Sequence, residues 1–132
     1  MSKDLDLSGE WTGVYNYPFA LPPVPFDAVI HDQSGRISGT TSEIGGTPFS
    51  LARRLDAVID GTRTGASVMF LKMYDQADGE YDVVQYSGTV DSEGDEIAGQ
   101  WHVHGMTGTF LMVRRPRASE TAALEVEEKI DS

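Results

Sequence analysis

Residues 9–17 run Gly9-Glu10-Trp11-Thr12-Gly13-Val14-Tyr15-Asn16-Tyr17. Trp11, Gly13, Tyr15 and Tyr17 fall on one side of an extended chain, and Glu10, Thr12 and Asn16 on the other. A period of two marks a strand with one face turned away from water. The same alternation recurs along the chain, punctuated by glycine: all 14 glycines lie between Gly9 and Gly108. Seven further strands are predicted: Phe26 to Asp32, Arg36 to Glu43, roughly Phe49 to Asp60, Ala66 to Tyr74, about Tyr81 to Val90, Glu96 to His104, and Thr109 to Arg115. The turns between them are rich in glycine, aspartate and serine, which supply the backbone angles that tight turns need. They include Asp32 to Gly35, Gly61 to Gly65, Gln76 to Gly79, Asp91 to Gly94 and Gly105 to Gly108.

Short strands joined by short turns, with no helical crossover, imply an antiparallel meander. The fold class is therefore all-β. Eight strands in this order close into an up-and-down barrel, which removes both exposed edges. Residues 1–116 form one such domain. Two segments fall outside the alternation. Residues 18–25, Pro-Phe-Ala-Leu-Pro-Pro-Val-Pro, form a loop or an edge, because proline cannot donate to a central ladder. Residues 117–132 hold two bases and five acids and read either as a disordered acidic tail or as a short helix capped by Ser119.

Ten bases against 21 acids give a net charge of −11, a field that repels a phosphate backbone or an anionic membrane surface, so neither nucleic acid nor membrane is expected as a partner. The chain has no cysteine, which excludes a disulfide framework, a thiolate metal site and a cysteine nucleophile. No signal peptide is visible at Met1 to Asp6. The longest apolar stretch, Ser67 to Met73, is too short to span a bilayer and is interrupted by Lys72. The expectation is a soluble, acidic, cytoplasmic domain.

Gly9-Glu10-Trp11 on the first strand, with Arg114-Arg115 ending the last, resembles the shared mark of the calycin barrels: lipocalins, fatty-acid-binding proteins and avidins. The resemblance implies that Trp11 closes one end of the barrel while Arg114 or Arg115 lies across its indole face, a contact with a basis in cation–π attraction. The likeness extends over Leu7 to Arg115. It departs from secreted lipocalins in length and in lacking disulfides, and from fatty-acid-binding proteins in having a proline-rich loop where they insert two helices. It supports the barrel and leaves the ligand open.

Alternation from Trp11 turns Tyr15, Tyr17, Phe26, Ile30, Phe70, Tyr74, Trp101, Phe110 and Met112 inward, together with Ile37, Ile59 and Val68. Barrels of this strand count are either filled by side chains or hold one small ligand. Glycines at 13, 39, 88 and 99 thin the strand faces, and buried tyrosine hydroxyls require partners. The loop Phe19 to Val24 reads as a lid over the open end, as a permanent plug, or as a subunit contact. His102-Val103-His104 has a metal-ligand spacing, but a third ligand is missing from the pattern, so no metal and no cofactor is expected. Among the acids, Asp32 and Glu43 sit near strand ends, where a cavity mouth can recruit them as general bases; Glu10, Asp56, Asp60 and Asp82 read as solvated. Met69, Leu71 and Met73, with Val84, Tyr86, Val90, Leu111 and Val113, make an apolar outer face whose cover is a second subunit or the C-terminal segment.

Three functions follow. The first is binding of an apolar or aromatic small molecule inside the barrel. The second is an isomerase- or cyclase-type barrel enzyme, and the third an accessory protein with a filled barrel. A cavity without an ionisable group favours binding, a desolvated acid beside a tyrosine favours the enzyme, and a filled interior favours the third.

Overall fold

The computed structural model describes residues 5–45, 53–74 and 83–115. Eight strands follow in order: β1 (Gly9–Asn16), β2 (Val24–Gln33), β3 (Arg36–Gly45), β4 (Arg53–Thr64), β5 (Ser67–Tyr74), β6 (Val83–Val90), β7 (Glu96–Val103) and β8 (Met106–Arg114). Each pairs antiparallel with the next, and β1 closes on β8 with Trp11 opposite Arg114 and Tyr15 opposite Phe110. The result is a closed all-β barrel in simple up-and-down order. The expected tail or helix at 117–132, the stretch 49–52 assigned to the fourth strand and residues 81–82 of the sixth lie outside the described residues. Among the described residues no helix is long and apolar enough to cross a membrane.

Two turns differ from the sequence reading. The last hairpin turns at His104 and Gly105, with φ of 48° and 74°, so β8 starts at Met106 and not at Thr109. Paired positive φ values suit the right-handed twist of a two-residue hairpin, and the turn needs no more chain than that. Similarly, β4 runs on through Thr64, and Gly61 is an interior strand position pressed against the backbone of β5.

The interior has two regions of different character. At one end Leu5 to Ser8 folds across the barrel and plugs it. Leu7 is fully buried, and its carbonyl accepts a hydrogen bond from the Trp11 indole at 2.9 Å. Arg114 lies over the Trp11 ring at 4.7 Å and donates to the carbonyls of Asp6, Ser8 and Gly94. Arg115 instead turns outward and pairs with Asp27 at 2.6 Å. Asp32 is buried beside this plug, accepting from Arg63 Nε at 2.8 Å and from the backbone N–H groups of Leu7 and Gly35. Above it the barrel is filled by Ile30, Ile37, Ile59, Val68, Phe70, Ile97, Phe110 and Met112.

None of the four glycines expected to leave space does so: Gly39 and Gly99 press on the backbone of the neighbouring strand, and rings cover Gly13 and Gly88. A Cβ at Gly13 would collide with the Phe26 ring, and one at Gly88 would press on Phe110. Strand β6 faces opposite to expectation: Val84, Tyr86 and Val90 are buried, and Tyr86 stacks on Phe70 with ring centroids 5.0 Å apart. Tyr86 is the direct cross-strand partner of Phe70, so the two must share a face.

Candidate functional site

The other end of the barrel is open, and its interior is built around one charge pair. Glu43 comes from the end of β3 and Lys72 from β5, both at inward positions of the alternation. Glu43 is 5% exposed and Lys72 1%. Lys72 Nζ donates to Glu43 Oε1 at 2.9 Å. Tyr74 donates to the same oxygen at 2.7 Å, and Tyr15 donates to Oε2 at 2.6 Å. Three donors, one of them charged, satisfy a carboxylate that burial alone would make very costly. The ammonium is in turn enclosed by rings, with Nζ 4.9 Å from the Phe26 and Tyr74 centroids, 5.0 Å from Tyr15 and 5.6 Å from Tyr86. Four aromatic faces partly replace its lost hydration.

The environment tunes the neighbouring groups. Burial, and then the hydrogen bond and charge of Glu43, push the Tyr15 phenol far above its ordinary range. Burial and the Glu43 charge do the same to Tyr74 and Tyr86. Burial pulls the Lys72 ammonium down, and Glu43 opposes that pull. At the closed end, burial would raise the Asp32 carboxyl, but the Arg63 and backbone hydrogen bonds outweigh it and hold the group below the usual carboxylate range.

Above this cluster opens a cavity of about 300 Å³, lined by Tyr15, Tyr17, Glu43, Leu55, Tyr74, Val84, Tyr86, Trp101, Val103 and Met106. Trp101 is held in place by a hydrogen bond from its indole to the Asn16 carbonyl at 3.1 Å, and its ring lies against Gly108, where any side chain would collide with it. Tyr17 meets Trp101 edge-on at 5.6 Å, and Phe19 stacks on Tyr17 at the rim. Phe19 and Leu21 of the β1–β2 loop are about half exposed there. Larger hollows of about 520 and 490 Å³ lie on the outer wall, and one of about 550 Å³ lies at the plugged end against Asp32 and Arg63. The two outer hollows have no buried ionisable group in their lining, and at the plugged end the Asp32 carboxylate is already taken by Arg63 and the backbone N–H groups of Leu7 and Gly35. For that reason we place the site in the open end.

Of the residues expected to bind a ligand, Tyr15, Tyr17, Tyr74 and Trp101 line this cavity. Phe26 sits beside it, under Tyr15 and against Lys72. Ile30, Phe70, Phe110 and Met112 belong to the filled part of the core. Of the two acids placed near strand ends, Glu43 joins the cavity and Asp32 locks the plug. Lys72 was legible only as an interruption in an apolar run. The signal that finds it is the alternation Val68, Phe70, Lys72, Tyr74, which turns it inward with its neighbours. His102 points outward, 2.8 Å from the Thr107 hydroxyl, while His104 sits in the turn, so the two do not share a strand face. Among the described residues no group of three or more histidines and acids is placed to hold a metal ion. Neither a family model nor a curated protein matches the chain.

Proposed function

We propose that the open end of the barrel binds a small aromatic or apolar molecule carrying one polar group. The observation that carries this reading is the placement of the buried Glu43–Lys72 pair at the floor of an aromatic-walled cavity, while the barrel between it and the plug is filled. A cavity of about 300 Å³ is at the small end of ligand pockets, so it suits a one- or two-ring compound. The walls supply apolar area, and the second oxygen of Glu43, with one donor among the described residues, has a lone pair left to orient a hydroxyl or N–H of the ligand. The Arg114–Trp11 contact is the one that the calycin resemblance implies, and it supports grouping the barrel with the calycins. The acidic, cysteine-free composition suits a cytoplasmic carrier. The outer row Val58, Met73 and Val83, in direct register across β4, β5 and β6 with Leu71 and Met69 alongside, supports a homodimer.

Titration calorimetry with indole as the probe tests the binding reading. The expected result is saturable binding of one molecule per chain, weakened several-fold in Tyr17→Ala by loss of an aromatic contact of about 0.5–1.5 kcal/mol. Binding that is absent, or identical in that variant, contradicts it.

A second reading, a proton-transferring isomerase or cyclase, is favoured by one feature: Glu43 is a desolvated acid beside two tyrosines. It ranks second because all the donors that hold Glu43 come from the protein itself, so the carboxylate is already engaged in the resting barrel. A filled-barrel accessory protein is disfavoured by the cavity itself.

A further inference from the structure

The chain has three lysines, and two of them, Lys3 and Lys129, lie outside the described barrel. The third is walled into its core. Tyr15, Glu43, Tyr74 and Tyr86 surround Lys72 Nζ, and all four also line the cavity. One layer of side chains therefore separates the amine from the ligand space. Among the described residues the ammonium makes one hydrogen bond to oxygen, and rings form the rest of its surroundings. Such an environment is how proteins turn a lysine into a nucleophile.

We infer that Lys72 captures small aromatic or apolar aldehydes and ketones reversibly, as an imine formed at the cavity floor. This rests on the cavity reading above. The resting pair is ammonium and carboxylate. When the Nζ proton crosses the 2.9 Å to Glu43 Oε1, the amine lone pair is freed and the carboxylate becomes neutral. Both phenols then lose the anion that holds them, and Tyr15 and Tyr74 are released to donate to a carbonyl oxygen instead. That movement also opens the layer above the amine. Nitrogen attacks the carbonyl carbon, the C–N bond forms as the C=O π pair moves to oxygen, and the oxygen takes the proton held by Glu43. The nitrogen returns its second proton to Glu43, which delivers it to the departing hydroxyl, and one water leaves. The balance is one ammonium and one carbonyl giving one protonated imine and one water, with Glu43 again a carboxylate and no oxidant or reductant. Burial of the ammonium, which draws its proton affinity down, supports the step.

The test uses the full chain with benzaldehyde, trapped by cyanoborohydride and mapped by peptide mass spectrometry. The expected result is a saturable benzyl adduct on Lys72 in the folded protein, suppressed by excess benzyl alcohol and lost in Lys72→Arg while Lys3 and Lys129 keep their background labelling. Adducts confined to Lys3, Lys129 and the terminal amine overturn the inference, as does labelling of Lys72 that needs denaturant. Wild-type mapping decides this even if the variant does not fold. Parallel calorimetry with benzyl alcohol, which fits the same space but has no carbonyl, separates the two claims. Binding without an adduct on Lys72 leaves the carrier and removes the imine, and absence of both removes both.

Discussion

The energetic centre of the open end is a four-residue cluster in which no member is tolerable alone. Removing Glu43 strands a buried ammonium, and Glu43→Ala is expected to cost about 3–5 kcal/mol of stability by urea denaturation. Removing both charges is a different experiment. Lys72→Met with Glu43→Leu is expected to lose clearly less than the sum of the two single variants, because no uncompensated charge remains. Additive losses would show that the pair is not coupled. Trp11→Ala is expected to cost about 3–5 kcal/mol, as for a large buried aromatic. The phenols give a further readout. Tyr15, Tyr74 and Tyr86 have raised pKa values when folded, so above the ordinary value of 10.0 the unfolded chain loses these protons first and the folded state is progressively disfavoured. Phenolate absorbance for these three is expected to appear together with loss of far-ultraviolet ellipticity; their ionisation in a still-folded barrel would contradict the burial.

At the scale of strands, Asp32 ties the plug to β2, β3 and β4. Its carboxyl is held below its ordinary value of 3.8, so its contribution is present above that pH and is lost as pH falls through the lower folded value. Asp32→Asn is expected to be less stable than wild type at neutral pH, with the difference narrowing in strong acid; a constant difference across that range contradicts the linkage. The hairpin between β7 and β8 offers a second check. Gly105 has φ of 74° with open space around it, so Gly105→Ala is expected to cost about 1 kcal/mol from backbone conformation alone. Strand number, order and most inward faces were legible because alternation and glycine punctuation are local signals. Tyr86 was placed outward because β6 carries apolar residues on both faces, Val83 on one and Val84 on the other, and only its pairing with Phe70 resolves the choice. The Glu43–Lys72 pair was hidden for the same reason. Its members are 29 residues apart, on strands that are not neighbours, and only closure of the barrel brings them together.

At the scale of the molecule, filling one end and opening the other yields a barrel with a plugged pole and an open pole. The plug is not legible in the sequence, because the alternation Leu5, Asp6, Leu7, Ser8 is too short to tell from the start of β1. Its anchors are the backbone groups that meet Asp32, Arg63 and Arg114. The proposed dimer belongs to this scale as well. Light scattering after gel filtration is expected to give twice the chain mass, reverting to one chain mass in Leu71→Glu; a monomeric wild type contradicts it. The chain's two tryptophans report on the two poles separately, Trp101 at the open end and Trp11 under the plug. A titration with benzyl alcohol followed by the two indole N–H signals in proton–nitrogen correlation spectra is the most direct test. The account predicts a saturable shift of the Trp101 signal with Trp11 unmoved. A Trp101 signal that stays in place, or one that moves no more than Trp11, contradicts a binding cavity at the open end.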